Sequence, residues 1–341
     1  MAPRIFHVQM GRDGGTERFF VTLSHAFAES GAAQAFAVRP DTGFSKEVEA
    51  IGEVHAGPYL RHTPAGLLAR AQLRRAIAAF DPDAVLAWRA PAARLIPKHG
   101  NFAKLVRLGD YPSHPRHFAH LDAVICNNPD IARHVTKLGY AGRLEVISNF
   151  PRPVALKPAP RQRLSTPEGA FVVCGAARFE TNKGLDTLVE AVALVPEAIL
   201  WLIGAGPEED ALRRRVASRG LSERTRFLGW VSEPMDIIAS ADVFAMPSRD
   251  EPLGNALLEA WYAGTASIST ATAGPTWYAT DQHDCLITPV DDPAAMAAAI
   301  DLLRQDAARR DTLVKGARTT LENSFSKLSV VRDYFALISD I

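Results

Sequence analysis

The chain has 341 residues, enough for about two domains that each bury a core. Apolar residues at 47 % and charged residues at 22 % are ordinary globular values, which excludes a disordered or collagen-like chain. The 38 basic residues balance the 38 acidic ones, so no excess of positive charge marks a nucleic-acid binder, and none is expected as a partner. The longest apolar stretch, residues 191–205, is broken by Pro196 and Glu197 and falls short of the roughly 20 residues of a membrane span. The N-terminus lacks an apolar h-region and reads as a first strand. Cys126, Cys174 and Cys285 are far apart with no Cys-x-x-Cys, which fits a reducing compartment and neither a zinc site nor a disulfide framework. The expectation is a soluble, cytoplasmic protein.

In chain order, Ile5–Val8 reads as a strand, followed by a loop with Gly11, Gly14 and Gly15 and a helix carrying Phe20, Leu23 and Phe27 that ends at Gly31. Further strands are expected at 36–38, 84–88, 105–108, 123–126 and 144–147, with Asn128-Pro129 as N-cap and N1 of another helix. Residues 150–169 contain Pro151, Pro153, Pro158, Pro160 and Pro167, a density that regular structure does not survive. Alternation then restarts, with strands at 171–174, 199–203, 226–228, 242–246, 266–268 and 285–287. Strand–helix alternation on both sides of a Pro-rich linker predicts two parallel-sheet α/β domains in tandem. Ligands of such sheets bind beyond the carboxyl ends of the strands.

Charge is unevenly divided. Residues 1–150 hold 18 Lys+Arg against 13 Asp+Glu, net +5, and residues 151–341 hold 20 against 25, net −5. From Val54 to Gly109 the only acids are Asp81 and Asp83. The first half therefore either faces something anionic or carries scattered, solvated arginines. Residues 67–80 place Leu73, Ile77 and Phe80 on one helix face with Arg70 and Arg74 beside it. That is a surface helix or a docking face for anionic lipid.

The loops after the strands hold the polar constellations. After the 242–246 strand, Glu251 precedes a helix that opens near Leu253, Gly254 and Asn255, and Glu259 lies about a turn inside it. N–H groups at such a helix start receive an anion, and carboxylates beside it accept hydrogen bonds from hydroxyls. A capping acid and a solvated helical Glu fit the spacing as well. Arg178 and Lys183 lie five apart on a Gly-bounded loop after the 171–174 strand, able to clamp a diphosphate or simply to be solvated. Gly204-Ala-Gly206-Pro207 reads as a tight structural turn. Phe227-Leu-Gly229-Trp230-Val231 ends a strand, with Trp230 packed as a strand end as one reading. Gly14-Gly15-Thr16-Glu17-Arg18 opens a helix, and Gly15 allows close approach of a phosphate. No Gly-x-Gly-x-x-Gly is complete, which disfavours a nicotinamide dehydrogenase. Leu105–Leu108 is followed by Asp110, and then by His114, Arg116 and His117 in a basic loop without the carboxylate or thiol that would complete a metal site.

The segment from Asp242 to Ser269, with Pro247-Ser248, Glu251, Gly254, Leu258-Glu259-Ala260 and Gly264, resembles the Glu-x7-Glu motif of the retaining GT-B glycosyltransferases of family four. Arg178…Lys183-Gly184, Gly204-x-Gly206-Pro207, Phe227-x-Gly229 and Gly14-Gly15-x-Glu17-Arg18 are similar to further elements of that family, with Phe179 where Leu is usual. The resemblance implies two Rossmann-like domains facing across a donor cleft. The first spans residues 1–150 on the acceptor side. A linker covers 151–169, a nucleotide-sugar domain 170–321, and a helix at 322–341 crosses back. It implies a hexosyltransferase that moves sugar from a nucleotide-diphosphate sugar, UDP- or GDP-linked, to a saccharide or lipid-linked acceptor of the bacterial envelope, such as lipopolysaccharide. Glu251 would contact the sugar and Glu259 the ribose. Arg178, Lys183, Gly15 and the 253–255 helix start would hold the phosphates, and Val231 the base. Asp110 stands where members often carry a His. His114, Arg116 and His117 are candidates on the acceptor side, and no metal or other cofactor is expected. Peripheral association with anionic membrane follows from the basic first half. A sugar-nucleotide epimerase or hydrolase on the same fold, or a non-catalytic nucleotide-sugar binder, are the alternatives.

Overall fold

In the computed structural model, which describes residues 2–12 and 14–341, the chain divides into two units. One comprises Met1–Arg152 with Lys327–Ile341, the other Pro153–Ser326. The first contains strands β1 (Arg4–Gln9), β2 (Ala33–Val38), β3 (Glu53–Ala56), β4 (Ala84–Trp88), β5 (Ala103–Leu108), β6 (Ala123–Cys126) and β7 (Arg143–Val146). They form one sheet in the order β3-β2-β1-β4-β5-β6-β7, every neighbour parallel. The second contains β8 (Val172–Ala176), β9 (Ile199–Ile203), β10 (Thr225–Gly229), β11 (Val243–Met246), β12 (Ala266–Thr270) and β13 (Leu286–Thr288). Their order is β10-β9-β8-β11-β12-β13, again all parallel.

Crossover helices cover both faces of each sheet, so β4, β9 and β11 are apolar at every position instead of alternating. Ile5 joins the cluster on one face and Phe6 and Val8 the cluster on the other. In each sheet the strand order reverses between two neighbours, β1/β4 in the first and β8/β11 in the second. Such switch points open a crevice beyond the strand ends.

Two elements depart from the sequence reading, and the C-terminal helix, expected at 322–341 with the first domain, starts later. The edge strand β3, Glu-Val-His-Ala, was not expected: it is short, only partly covered and has no apolar run. Residues 151–169, read as lacking regular structure, contain a 3-10 turn at Arg161–Leu164 and pack on the second unit. There Arg161 pairs with Asp242 at 3.1 Å and donates to Ser240 O, and Tyr262 exchanges hydrogen bonds with the Val154 main chain. At the C-terminus the unit changes after Ser326, and the Lys327–Ser339 helix belongs with the first unit, where Tyr334 meets Phe27 edge-on.

Two buried polar side chains of the first unit have identifiable partners. His7 is fully buried: Trp88 Nε1 donates to its Nδ1 at 3.2 Å, which leaves Nε2–H to donate to Gln34 Oε1 at 3.0 Å. Burial holds its pKa at about 3, against 6.5. The unfolded chain therefore takes up the proton first, so this contribution to stability is complete above pH 6.5 and is lost as pH falls toward 3. As pH falls below 6.5 we expect the loss through this residue to steepen toward about 1.4 kcal/mol per pH unit. A His7→Leu variant, less stable throughout, shows a correspondingly shallower slope in urea titrations at pH 5.5 and 6.5; identical slopes would contradict the assignment. Arg107 is also buried, beneath the rings of Phe19 (4.7 Å) and Trp88 (5.4 Å), and contacts Asn149. Cys126 in the first unit and Cys174 and Cys285 in the second are buried free thiols, and burial raises the pKa of each.

Candidate functional site

In the second unit the polar residues gather at the β8/β11 switch point. Beyond β8 the chain runs through Arg178 and Phe179 into a 3-10 turn at Thr181–Lys183 and then through Gly184 into the Leu185–Ala193 helix. Phe179 is fully buried, edge-on to Phe227, so Phe serves here as the apolar anchor that Leu would supply. Gly204 and Gly206 sit under this loop: a Cβ at either would lie 1.9 Å from Ala177 O or 2.4 Å from Phe179 O. The Gly-x-Gly turn is therefore structural, the room that lets the β8 loop lie down.

Beyond β11, Glu251 is the hub. Lys183 Nζ donates to its Oε2 at 2.8 Å and Gly254 N–H to its Oε1 at 3.2 Å, with Ser248 Oγ 3.5 Å away. Gly254 adopts φ +88°, ψ 54° and caps the Asn255–Tyr262 helix without a side chain. N–H groups in a first helical turn have no intrahelical acceptor. Leu253 is buried and lies against Gly274, where a Cβ would come within 2.4 Å of Leu253 O. Asn255 is the first residue of the helix and Glu259 its fifth, both half-buried. The structure thus brings together Lys183, Glu251 and the helix start. Arg178 is 70 % exposed and paired with Glu180 at 2.7 Å. Val231 is half-buried on the apolar cluster of this face. Trp230, for which a packed strand end was one of two readings, is 70 % exposed.

In the first unit the corresponding loops carry a second polar set. Gly14 caps the Gly15–Glu29 helix at φ +148°, and Gly15 opens it at the surface. Glu17 is buried behind this turn with Oε1 lacking a hydrogen-bond partner, and a Cβ on Gly11 would lie 1.6 Å from that oxygen. Asp110, beyond β5, is held by Arg89, whose Nε and Nη2 both reach its Oδ2 at 3.0 and 2.6 Å. Sequence reasoning missed Arg89, which has φ +72°, ψ 155°, a conformation costing a non-glycine residue about 1–3 kcal/mol. No local pattern announces it; the strain is legible only in the backbone, beside the β1/β4 switch point. His114 and His117 meet edge-on at 4.6 Å and Arg116 is exposed. Among the described residues no group of three or more His, Cys, Asp or Glu could hold a metal ion.

These features define a class: tandem Rossmann-like sheets whose second member presents a charged pair and a helix start at its switch point, an arrangement suited to a phosphorylated ligand. Residues 157–320 match the family described as Glycosyl transferases group 1, and residues 13–150 match Glycosyltransferase Family 4. The chain is 36 % identical over 334 residues to the lipopolysaccharide core biosynthesis glycosyltransferase LpsD of Rhizobium meliloti (strain 1021), covering 98 % of this chain and 97 % of that protein. It is 35 % identical to LpsE of the same organism, covering 98 % and 99 %. A crystal structure of Anabaena HepE in complex with UDP superimposes with a TM-score of 0.82 at 20 % identity, over 99 % of this chain and 100 % of that one. The chain belongs to the group 1 glycosyltransferases, has the GT-B fold and is a glycosyltransferase.

Proposed function

We propose that this glycosyltransferase moves a hexosyl unit, with retention, from a UDP- or GDP-linked sugar to a saccharide or glycolipid acceptor in assembly of the lipopolysaccharide core. The observation that carries this reading is the 36 % identity to LpsD across nearly the whole of both chains. In it, Lys183 and the 253–255 helix start receive the leaving diphosphate, and Arg178 turns from Glu180 to join them. Glu251 accepts from the sugar, Glu259 from the ribose, and Val231 main chain meets the base. Within the first unit, Gly15 is assigned to a phosphate and Asp110, steadied by Arg89, to a sugar hydroxyl. His114, Arg116 and His117 serve the acceptor. The reaction proceeds without metal: cationic side chains and helix N–H groups stabilise the leaving group, and retention follows a front-face route. Incubation with UDP- and GDP-hexoses and core-truncated lipopolysaccharide, in EDTA, gives a hexose-extended product by mass spectrometry. Donor cleavage without acceptor glycosylation would make the protein a hydrolase, and nucleotide binding without turnover a sensor.

The same reading places the protein against a membrane. No helix among the described residues is long and apolar enough to cross one, but the Pro64–Phe80 helix exposes Leu67 (63 %) and Leu68 (61 %) in line with exposed Arg74 and Arg75. Leu73 and Ile77 face the core instead. Arg70 is no part of a basic docking face: its guanidinium donates to Tyr59 O at 2.7 Å and Arg61 O at 3.0 Å, fixing the preceding loop. Basic residues near an anionic surface contribute about 1 kcal/mol each. Wild type should sediment with anionic vesicles at low salt, and the Leu67→Asp/Leu68→Asp variant should not; equal sedimentation refutes this surface.

A further inference from the structure

Between two adjacent crossovers of the first unit, β4 to β5 and β5 to β6, lies an open cleft of about 620 Å³ lined by Arg94, Lys98, Arg116, His117, Ala119 and His120. Its floor is fixed from below: Leu95 and Ile96 in one crossover and Phe118 and Leu121 in the other are buried in the same apolar cluster. His120, half-buried, lies at the rim of the same cleft. Every lining residue except Ala119 is a cation or a histidine. Asp110 and Asp122, the acids flanking these crossovers, are engaged by Arg89 at 2.6 Å and Lys104 at 3.1 Å. Among the described residues, none of Arg94, Lys98 and Arg116 has a carboxylate partner.

Like charges concentrated without counter-charge repel one another, and the cheapest relief is a multivalent anion. We infer that this cleft binds a phosphoryl group, a phosphate monoester or diphosphate, gripped by Arg94, Lys98 and Arg116 with His117 and His120 as additional donors. Guanidinium groups match phosphate oxygens two at a time, and Lys adds a point charge. The inference deepens the acceptor side of the reading above and rests on it for the reaction served: the phosphoryl group is one the acceptor carries, on its saccharide or its lipid.

The histidines make the site sensitive to pH. Burial lowers the pKa of His117, with His114, Arg94 and Arg116 adding to the effect. Burial also lowers that of His120, with Lys98 and Lys104 acting in the same direction, against the Ile96 main chain and Asp122. A bound anion reverses these repulsions and favours the protonated rings, so binding takes up protons and tightens as pH falls.

The test uses the full chain and measures binding, not turnover. By calorimetry, inorganic sulfate, whose charge is constant between pH 6 and 8, and glucose 6-phosphate bind saturably to wild type, sulfate more tightly at pH 6. In the Arg94→Gln/Lys98→Gln variant both affinities fall at least about tenfold, and uridine diphosphate affinity is unchanged. Vesicles containing phosphatidic acid form the second arm. Loss of vesicle binding in the variant, with no binding of glucose 6-phosphate to wild type, assigns the phosphoryl group to a lipid headgroup; loss of glucose 6-phosphate binding assigns it to a soluble saccharide. Either supports the site. Failure of wild type to bind any of the three probes, or equal binding by the variant, overturns it. Failure of wild type to bind nucleoside diphosphate and nucleotide sugar alike would strike the transfer reading and leave the cleft standing.

Discussion

Lys183→Ala should lower kcat/KM for transfer by a factor of about 10²–10³, corresponding to roughly 2.7–4 kcal/mol, the range for removing one preorganised donor from a developing anion. Its ammonium lies 2.8 Å from Glu251 on a loop with little freedom, since Lys183 N–H also donates to Glu180 O at 2.9 Å. In the proposed reaction the cation is then already in place when diphosphate leaves, and little reorganisation is needed. Glu251→Gln keeps the size and the Gly254 contact but removes the charge at the reacting end, so kcat falls with nucleoside diphosphate affinity largely retained. Glu259→Gln, a turn into the helix, should instead weaken nucleoside diphosphate binding. Because Lys183 and Glu251 touch, the double variant should lose less than the sum of the single losses. Full activity of Lys183→Ala, or equal loss of nucleotide affinity in the two Glu variants, would refute this division of roles.

The second large effect is conformational. Gly184 joins the Lys183 turn to the following helix at φ +61°, and a Cβ there would lie 2.1 Å from Pro247 O on the neighbouring strand-end loop. Ala at this position carries both left-handed strain and a clash with backbone that cannot rotate away. Gly184→Ala should cost about 2–4 kcal/mol of stability and separate Lys183 from Glu251, so nucleotide binding fails with it. Gly220, at φ +67° with nothing within 4 Å of its Cβ position, supplies the control: Gly220→Ala meets strain alone and should cost about 1 kcal/mol. Urea unfolding of both variants separates the two contributions. Equal losses would show that the approach of Pro247 costs nothing.

The sheets were legible where burial is two-sided. Ala84–Trp88 and Ile199–Ile203 have unbroken apolar runs, and their observed limits coincide with those runs. Glu53–Ala56 was not, because an edge strand is hydrogen-bonded on one side only and its partner, not its own composition, decides it. Local sequence likewise placed Lys183 and Glu251 after their strands, but their contact spans 68 positions and exists only because β8 and β11 are neighbours. The Arg89–Asp110 pair has the same origin in the adjacency of β4 and β5. Side-chain direction was the least readable quantity. Trp230, for which a packed ring was one of two readings, projects outward, and Arg70, weighed as a cation on a solvated or lipid-facing helix, turns inward to main-chain carbonyls.

The distribution of sulfur gives the molecule built-in reporters. Cys126 belongs to one unit and Cys174 and Cys285 to the other, all three shielded and held as thiols by burial. A thiol-directed reagent reacts with none of them until the unit that holds it opens, because only exposed thiolate is nucleophilic. Modification kinetics in low denaturant, read peptide by peptide, therefore measure the opening of each half of the enzyme separately in the native chain, without introduced labels. Saturating nucleotide sugar that engages the second unit alone would slow Cys174 and Cys285 together and leave Cys126 at its own rate.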